Sequence, residues 1–283
     1  MALPAYTTTV ERVWHYAFHV ACGLIFFFLI APIIVIIPLA FNAQPYFTFT
    51  KEMLTFDPEG YSLRWYKALL GSEEWTSSIL NTAIISICST IVATALGTLA
   101  ALGLNRRNMP FRGVITAVLI SPMIVPLIIT AAALFSFFAR AGLANTFPGI
   151  ILSHVVLGTP FVVLTVTASL SGFDENLVRA SQSLGANQTR TFFRVILPLL
   201  LPGVIAGGLF AFVTSLDEVV IVNFMAGPEQ TPVTVRMFSG LREEINPTIL
   251  ALASLLVALS IVLLATLEGI RRRNERLRGM SPG

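Results

Sequence analysis

The sequence predicts an all-α integral membrane protein, and three observations lead to this fold class. Hydrophobic residues make up 55% of the 283 residues and charged residues only 12%, with a mean hydropathy of +0.81. Several apolar runs reach the roughly 20 residues that a helix needs to cross a bilayer core of about 30 Å. The alternating segments of about ten residues that are typical of a membrane barrel are absent. Since unpaired backbone groups are costly in lipid, we expect the spans to be helices.

Six spans account for the apolar runs. A membrane domain is expected over 17–270, between a cytoplasmic N-terminal segment at 1–16 and a basic cytoplasmic tail at 271–283. The first run lacks a small-residue cleavage site, which indicates a retained span and not a signal peptide. The predicted spans are Ala17–Phe41, Ser77–Leu104, Phe111–Phe138, Pro148–Leu170, Leu199–Val222 and Pro247–Ile270.

The positive charges of the loops predict the orientation of these spans. Of the 18 basic residues, 12 fall on the side of the two termini and six on the opposite side. Cytoplasmic loops carry the positive excess, so both termini and the polar segment at 172–198 are expected in the cytoplasm. On the opposite side the long loop 42–76 is rich in aromatic residues, and a short helix around 61–70 is expected to anchor it at the membrane interface. The 12 residues on the terminal side are Arg12, Arg106, Arg107, Arg112, Arg179, Arg190, Arg194, Arg271, Arg272, Arg273, Arg276 and Arg278.

Enzymatic and metal chemistry find no support in the sequence. His15 and His19 have a spacing that can bind a metal, but no acidic or cysteine partner is near, so packing at the interface is the expected role. His154 has no neighbouring acid or nucleophile motif. Neither Lys51 nor Lys67 follows a glycine, so a phosphate-binding loop of the GxxxxGK type is absent. We therefore expect no catalytic residue, no cofactor and no metal, and any use of ATP must reside on another chain.

The segment Asp174–Pro202 is a polar, basic interruption between two long apolar runs. Leu177, Ala180 and Leu184 share one helical face, and Gly185 follows where a helix often ends in a left-handed residue. Asp174 can cap the first turn, Asn187 or Thr189 can begin a second short helix, and Pro198 is expected to end it. The pattern predicts a helix–turn–helix elbow that projects from the membrane. An amphipathic helix lying flat on lipid is the alternative.

The elbow resembles the cytoplasmic motif of ABC importer permeases. That family has Glu-Ala-Ala, a glycine, and then Ile-x-Leu-Pro. Here Arg179-Ala180-Ser181 and Gly185 correspond to the first two, and the last is shortened to Ile196-Leu197-Pro198. Arg179 replaces the glutamate and Ser181 the second alanine, which puts any contact specific to glutamate in question. The resemblance implies that the elbow is a coupling helix that docks in a groove of an ATPase subunit, with contacts from Leu177, Arg179, Ala180, Ser181, Leu184, Gly185 and Ala186.

The resemblance extends over roughly residues 60–270. The segments 62–70 and 121–126 look like the same family, while 215–238 and 242–256 look like the second permease subunit of spermidine/putrescine importers. It implies a six-helix type I ABC importer permease fold in the bacterial inner membrane, forming half of a solute pathway. The implied partners are two cytoplasmic ATPase subunits, a homologous second permease, a periplasmic solute-binding protein and membrane lipid, with no nucleic acid.

Two carboxylates fall within the predicted fifth span, where a charge costs a few kcal/mol. Asp217 and Glu218 lie about 100° apart on a helix, so they cannot face the same way. We expect Asp217 to line the substrate pathway, where it would attract a cationic amine, and Glu218 to face a neighbouring helix or the partner subunit. A structural hydrogen bond to Thr214 or Ser215 is the alternative.

The sequence leaves the substrate open between a polyamine and another cationic amine, an opine or a small anion. A secondary transporter that needs no ATPase is the alternative from a different class. That class predicts an inverted repeat and discontinuous helices. The sequence shows neither, and this alternative also leaves the elbow unexplained.

Overall fold

The computed structural model describes residues 8–106, 108–243 and 247–277. Part of the predicted N-terminal segment, at 1–7, and part of the predicted tail, at 278–283, lie outside them. Arg107 and Arg278, which contribute to the predicted orientation, lie outside them as well. The described residues of 73–239 form one compact unit, and the described residues before 73 and after 239 form another.

Helices account for most of the described residues. In chain order they are α1 Thr9–Leu39, α2 Lys51–Leu54, α3 Arg64–Gly71, α4 Glu73–Leu104, α5 Arg112–Ile124, α6 Leu127–Arg140, α7 Phe147–Ser171, α8 Asn176–Ser183, α9 Gln188–Thr191, α10 Leu197–Leu216, α11 Val220–Met225, α12 Val233–Glu243 and α13 Thr248–Leu277.

Within the described residues, four continuous helices are long and apolar enough to cross a membrane: α1, α4, α7 and the helix Gln188–Leu216. The bent pair of α5 and α6 adds a fifth span if both halves belong to one crossing. Helix α13 covers the predicted sixth span, and its described side chains from Thr248 to Val262 form an apolar helix segment. The first, second and fourth predicted spans are therefore confirmed as long apolar helices.

The prediction that the third span, Phe111–Phe138, is a single helix is wrong. Helices α5 and α6 are bent by 109° at a short break. Pro126 has no backbone N–H and disfavours a helical conformation at the preceding residue, and Val125 is extended at φ −70° and ψ 134°. The break follows directly from this proline.

The fifth predicted span has different bounds, and two further expectations fail with it. The helix runs over Gln188–Leu216, so Pro198 does not end a helix, and Asp217 and Glu218 lie beyond its end. A π-helical turn at Phe192–Ile196 shifts the hydrogen bonds by one residue, and Leu197 N–H donates to the Phe192 carbonyl. The helix therefore continues through Pro198. The chain therefore contains broken helices, which the sequence did not show. The expected lack of broken helices thus no longer argues against a secondary transporter.

Close approach of helices α4, α7 and α10 forms the centre of the unit 73–239. A Cβ atom on Gly97 of α4 would lie 2.6 Å from Cβ of Val162 on α7, and one on Gly207 of α10 would lie 2.8 Å from Cα of the same residue. Small residues let helix backbones meet where lipid offers no hydrophobic driving force between them. Val162 is fully buried at this junction, together with Ala93 and Ala211.

The other unit contains the predicted interfacial helix. Helix α3 forms as expected from the sequence, but Trp65 is only 9% exposed, and its indole N–H donates to the carbonyl of Asn42 at 2.8 Å. Tyr66 shares a hydrogen bond of 2.7 Å with Ser254 on α13. These aromatic residues therefore hold α3 within its own unit through buried contacts.

Candidate functional site

The elbow turns at a Schellman motif that closes helix α8. Gly185 has φ +81°, a left-handed conformation that glycine adopts at little cost. Its N–H donates to the carbonyl of Gln182 at 2.9 Å, and Ala186 N–H donates to that of Ser181 at 3.1 Å. This pair of bonds satisfies the last carbonyls of the helix and defines the motif. The left-handed turn expected at Gly185 is confirmed.

The second arm of the elbow starts at Asn187. Its side chain accepts a hydrogen bond from Arg190 N–H at 2.8 Å and so caps helix α9. Ser181 and Thr191 share a hydrogen bond of 2.9 Å between their hydroxyl groups, which ties α8 to α9. At the entry of the elbow, Asp174 accepts from Asn176 N–H. The two arms are thus held together by local hydrogen bonds.

A concavity of about 410 Å³ lies between the two arms of the elbow. Leu184 is 89% exposed and Leu177 43% exposed, so an apolar rim faces outward. The structure brings together five of the seven predicted coupling residues. Gly185 instead shapes the turn, and Arg179 is exposed on another face of α8. The lining residues are Leu177, Ala180, Ser181, Leu184, Ala186, Arg190, Arg194 and Val195.

The two predicted pathway carboxylates lie in the break between α10 and α11. Asp217 is the C-cap residue that directly follows α10, and its side chain is exposed. Glu218 is 6% exposed, and its carboxylate accepts a hydrogen bond from Ile221 N–H at 2.7 Å. Thr234 donates its hydroxyl proton to the Glu218 carbonyl at 3.3 Å. Glu218 therefore caps the start of α11 in its own chain, while Asp217 remains open.

Next to this break, a chain of buried polar side chains crosses the three central helices. His154 Nδ1 lies 2.7 Å from the Ser215 hydroxyl, which lies 2.9 Å from that of Ser89. His154 looks isolated in the sequence, because Ser89 and Ser215 are far from it along the chain. Their contacts link α7, α10 and α4 at the end of α10.

The sequence also gives no indication that α4 holds the segment 229–236. Arg236 forms an ion pair of 2.7 Å with Glu74 and donates to the Ser78 hydroxyl at 2.8 Å. Val233 N–H donates to Thr82 at 2.8 Å. The side-chain amide of Asn81 donates to the carbonyls of Glu229 and Thr231 at 2.8 and 3.3 Å. The only signal in the sequence is the run of polar residues on one face of an otherwise apolar helix.

Curated transport permeases are similar to most of the chain. It is 30% identical over 252 residues to the spermidine/putrescine transport system permease protein PotC of Haemophilus influenzae, which covers 89% of this chain and 95% of the relative. It is 32% identical over 240 residues to the putrescine transport system permease protein PotI of Escherichia coli K12, with 82% of each covered.

Solved importers share the fold. A bacterial ABC transporter involved in the import of the acidic polysaccharide alginate matches with a TM-score of 0.75 at 14% identity, over 94% of this chain and 99% of the matched chain. A second alginate transporter structure, in complex with a periplasmic protein bound to an alginate pentasaccharide, matches with a TM-score of 0.66 at 17% identity, over 93% of this chain and 96% of the matched chain. The family model of binding-protein-dependent transport system inner membrane components matches residues 93–276. The chain therefore belongs to this family of inner-membrane transport permeases.

Proposed function

We propose that this chain is one permease subunit of an ATP-driven importer of polyamines such as putrescine and spermidine. The observation that supports this substrate class is the identity of about 30% to polyamine permeases along nearly the whole chain. The alginate importers share the fold at 14–17% identity and give no information on the substrate.

The elbow is the proposed site of coupling to ATP hydrolysis. The excess of basic residues on one side supports a cytoplasmic location for both termini and the elbow. There the exposed Leu177 and Leu184 would dock on an ATPase subunit, and the Gly185 turn would transmit its movement to the helix Gln188–Leu216. Because helices α8 and α9 are hydrogen-bonded to each other, the elbow can move as one piece. Two ATPase subunits, a second permease and a periplasmic binding protein complete the proposed importer.

Asp217 is the proposed cation contact on the solute pathway. It lies at a helix end with an exposed carboxylate, so a passing ammonium group can reach it. Attraction between opposite charges strengthens where water is scarce. Glu218 has a different proposed role: its carboxylate is occupied by the backbone of α11 and positions this break. In this proposal Asp217 binds the passing cation, and Glu218 caps the start of α11.

Reconstitution tests the proposed function. The chain, its second permease and the ATPase subunits are placed in proteoliposomes with the binding protein, and uptake of labelled putrescine, spermidine and an acidic sugar is followed. We expect uptake of the polyamines that requires ATP and stops with a non-hydrolysable analogue. Uptake of the acidic sugar alone would overturn the substrate class, and uptake driven by an ion gradient without ATP would overturn the importer.

A further inference from the structure

The exposed Asp217 lies between two buried polar residues, Ser215 on one side and Glu218 on the other. Ser215 is 7% exposed and Glu218 is 6% exposed, and both side chains form buried hydrogen bonds. We infer that His154 and Ser215 are positioning residues, whose hydrogen bond fixes the end of α10 and so sets where the Asp217 carboxylate meets a passing ammonium group. This inference rests on the proposed role of Asp217 and adds the side chains that place it.

The backbone on either side of Asp217 determines where its carboxylate lies. Among the described residues, no side chain forms an ion pair or a hydrogen bond with this carboxylate. The Asp217 N–H donates to the Val213 carbonyl at 3.1 Å, so the residue follows the last turn of α10. Ser215 lies in that turn, and the cap that Glu218 makes on α11 holds the chain on the other side. A shift of Ser215 would therefore move Asp217.

Ser215 is held by two other helices. Its hydroxyl lies 2.7 Å from Nδ1 of His154 on α7 and 2.9 Å from the hydroxyl of Ser89 on α4. The Ser89 hydroxyl donates to the Ser86 carbonyl at 3.2 Å. Since the proton of Ser89 is used in that bond, Ser215 donates to Ser89 and accepts from the Nδ1–H of His154. Nε2 of His154 has no hydrogen-bond partner among the described residues, so the link to Ser215 depends on Nδ1 alone.

Helix packing alone does not require this polar chain. One turn further along the same three helices, a Cβ atom on Gly158 of α7 would lie 3.0 Å from Cβ of Ala211 on α10 and 3.3 Å from Cβ of Ala93 on α4. Small residues of this kind are sufficient to join helices in lipid, and a hydrogen bond between helices adds little stability on average. The polar chain therefore has its main effect on the end of α10, where Ser215 precedes the break.

Removal of the middle link, with a matched control, tests the inference. Ser215→Ala breaks the bonds to both neighbouring helices. Ser153→Ala is the control, because Ser153 is also buried and its hydroxyl donates to the Gly149 carbonyl within its own helix at 2.8 Å. Each change is made in the wild-type chain and in Asp217→Asn. The complete importers are compared at equal amounts of assembled complex in proteoliposomes, and the initial rate of ATP-dependent putrescine uptake is measured.

The two backgrounds separate positioning from a purely structural role. We expect Ser215→Ala to lower uptake about fivefold in the wild-type chain and less than about twofold in Asp217→Asn, because the two residues act as one unit. Ser153→Ala should stay within about twofold of its parent in both backgrounds. His154→Asn should retain most of the uptake, since its amide offers a donor near the position of Nδ1, whereas His154→Leu should resemble Ser215→Ala.

Each outcome of this experiment is distinct. Equal losses from Ser215→Ala in both backgrounds, or wild-type uptake in Ser215→Ala, would overturn the positioning role alone. Equal losses in His154→Asn and His154→Leu would overturn it as well; if His154→Leu does not assemble, the milder Ser215→Ala decides. Full uptake by Asp217→Asn would overturn the proposed cation contact and the inference with it. A wild-type complex without ATP-dependent polyamine uptake would overturn the proposed function itself.

Discussion

Replacing Gly185 with alanine isolates the backbone strain of the elbow turn. A Cβ atom at this position would meet nothing within 4 Å, so the substitution creates no clash. The whole cost comes from φ +81°, where an L-residue is disfavoured by about 1–2 kcal/mol. This corresponds to a shift of about fivefold to thirtyfold in the equilibrium between the turn and its alternatives. Leu184 beside it is 89% exposed, so little packing holds the turn in place.

Gly172 provides the matched control. It also follows a long helix, and a Cβ atom there would also meet nothing within 4 Å. Its φ is −98°, which alanine adopts freely. The two substitutions therefore add the same methyl group and differ only in backbone strain.

The assay compares ATP hydrolysis and solute uptake in the same proteoliposomes. We expect Gly185→Ala to lower the solute transported per ATP by about tenfold, because a strained elbow loses its docked geometry. Gly172→Ala should retain wild-type coupling. A stronger effect is expected for Gly185→Val, since a β-branched residue resists the left-handed region more. Wild-type coupling in both Gly185 variants, or equal losses in Gly172→Ala, would refute the role of the turn.

Other predictions concern single contacts in the unit 73–239. Asp217→Asn should reduce uptake of polyamines and leave copurification with the partners unchanged; unaltered uptake would return this residue to a structural role. Glu218→Ala should lower the stability in detergent by about 1 kcal/mol, measured by thermal unfolding, because α11 loses its cap. A double-mutant cycle between Arg236 and Glu74 should give a coupling of no more than about 1 kcal/mol, since Glu74 is largely exposed; a much larger value would indicate a buried network. Gly207→Val should prevent recovery of folded chain in detergent, because its side chain collides with helix α7; normal yield would contradict the close packing.

The local chemistry of the elbow could be read from the sequence. A left-handed glycine after the last apolar position, and an asparagine cap two residues later, need only neighbouring residues for their geometry. The face of Arg179 also follows from helix periodicity once the bounds of α8 are known. That Arg190 and Arg194 line the same concavity as Leu177 and Leu184 could not be predicted, because the sequence does not show how the two arms pack against each other.

Helix breaks in apolar runs are the main error of the sequence-based account. Hydropathy measures how apolar a run is and does not detect where a helix ends within it. The bend at Pro126 had a visible cause, whereas α10 ends at Leu216 with no proline or glycine beside it, and Glu218 caps the start of the next helix, α11. Contacts between distant segments were not predictable either, as in the pair of Arg236 and Glu74, which are 162 residues apart.

The energy source of uptake tests the central claim most directly. Proteoliposomes with the complete complex are loaded with ATP, and polyamine uptake is compared between wild type and an ATPase subunit that binds ATP but cannot hydrolyse it. If this chain is a permease coupled through its elbow, uptake occurs with the active ATPase and stops with the inactive one. Polyamine uptake at the same rate with the active and with the inactive ATPase would contradict the claim.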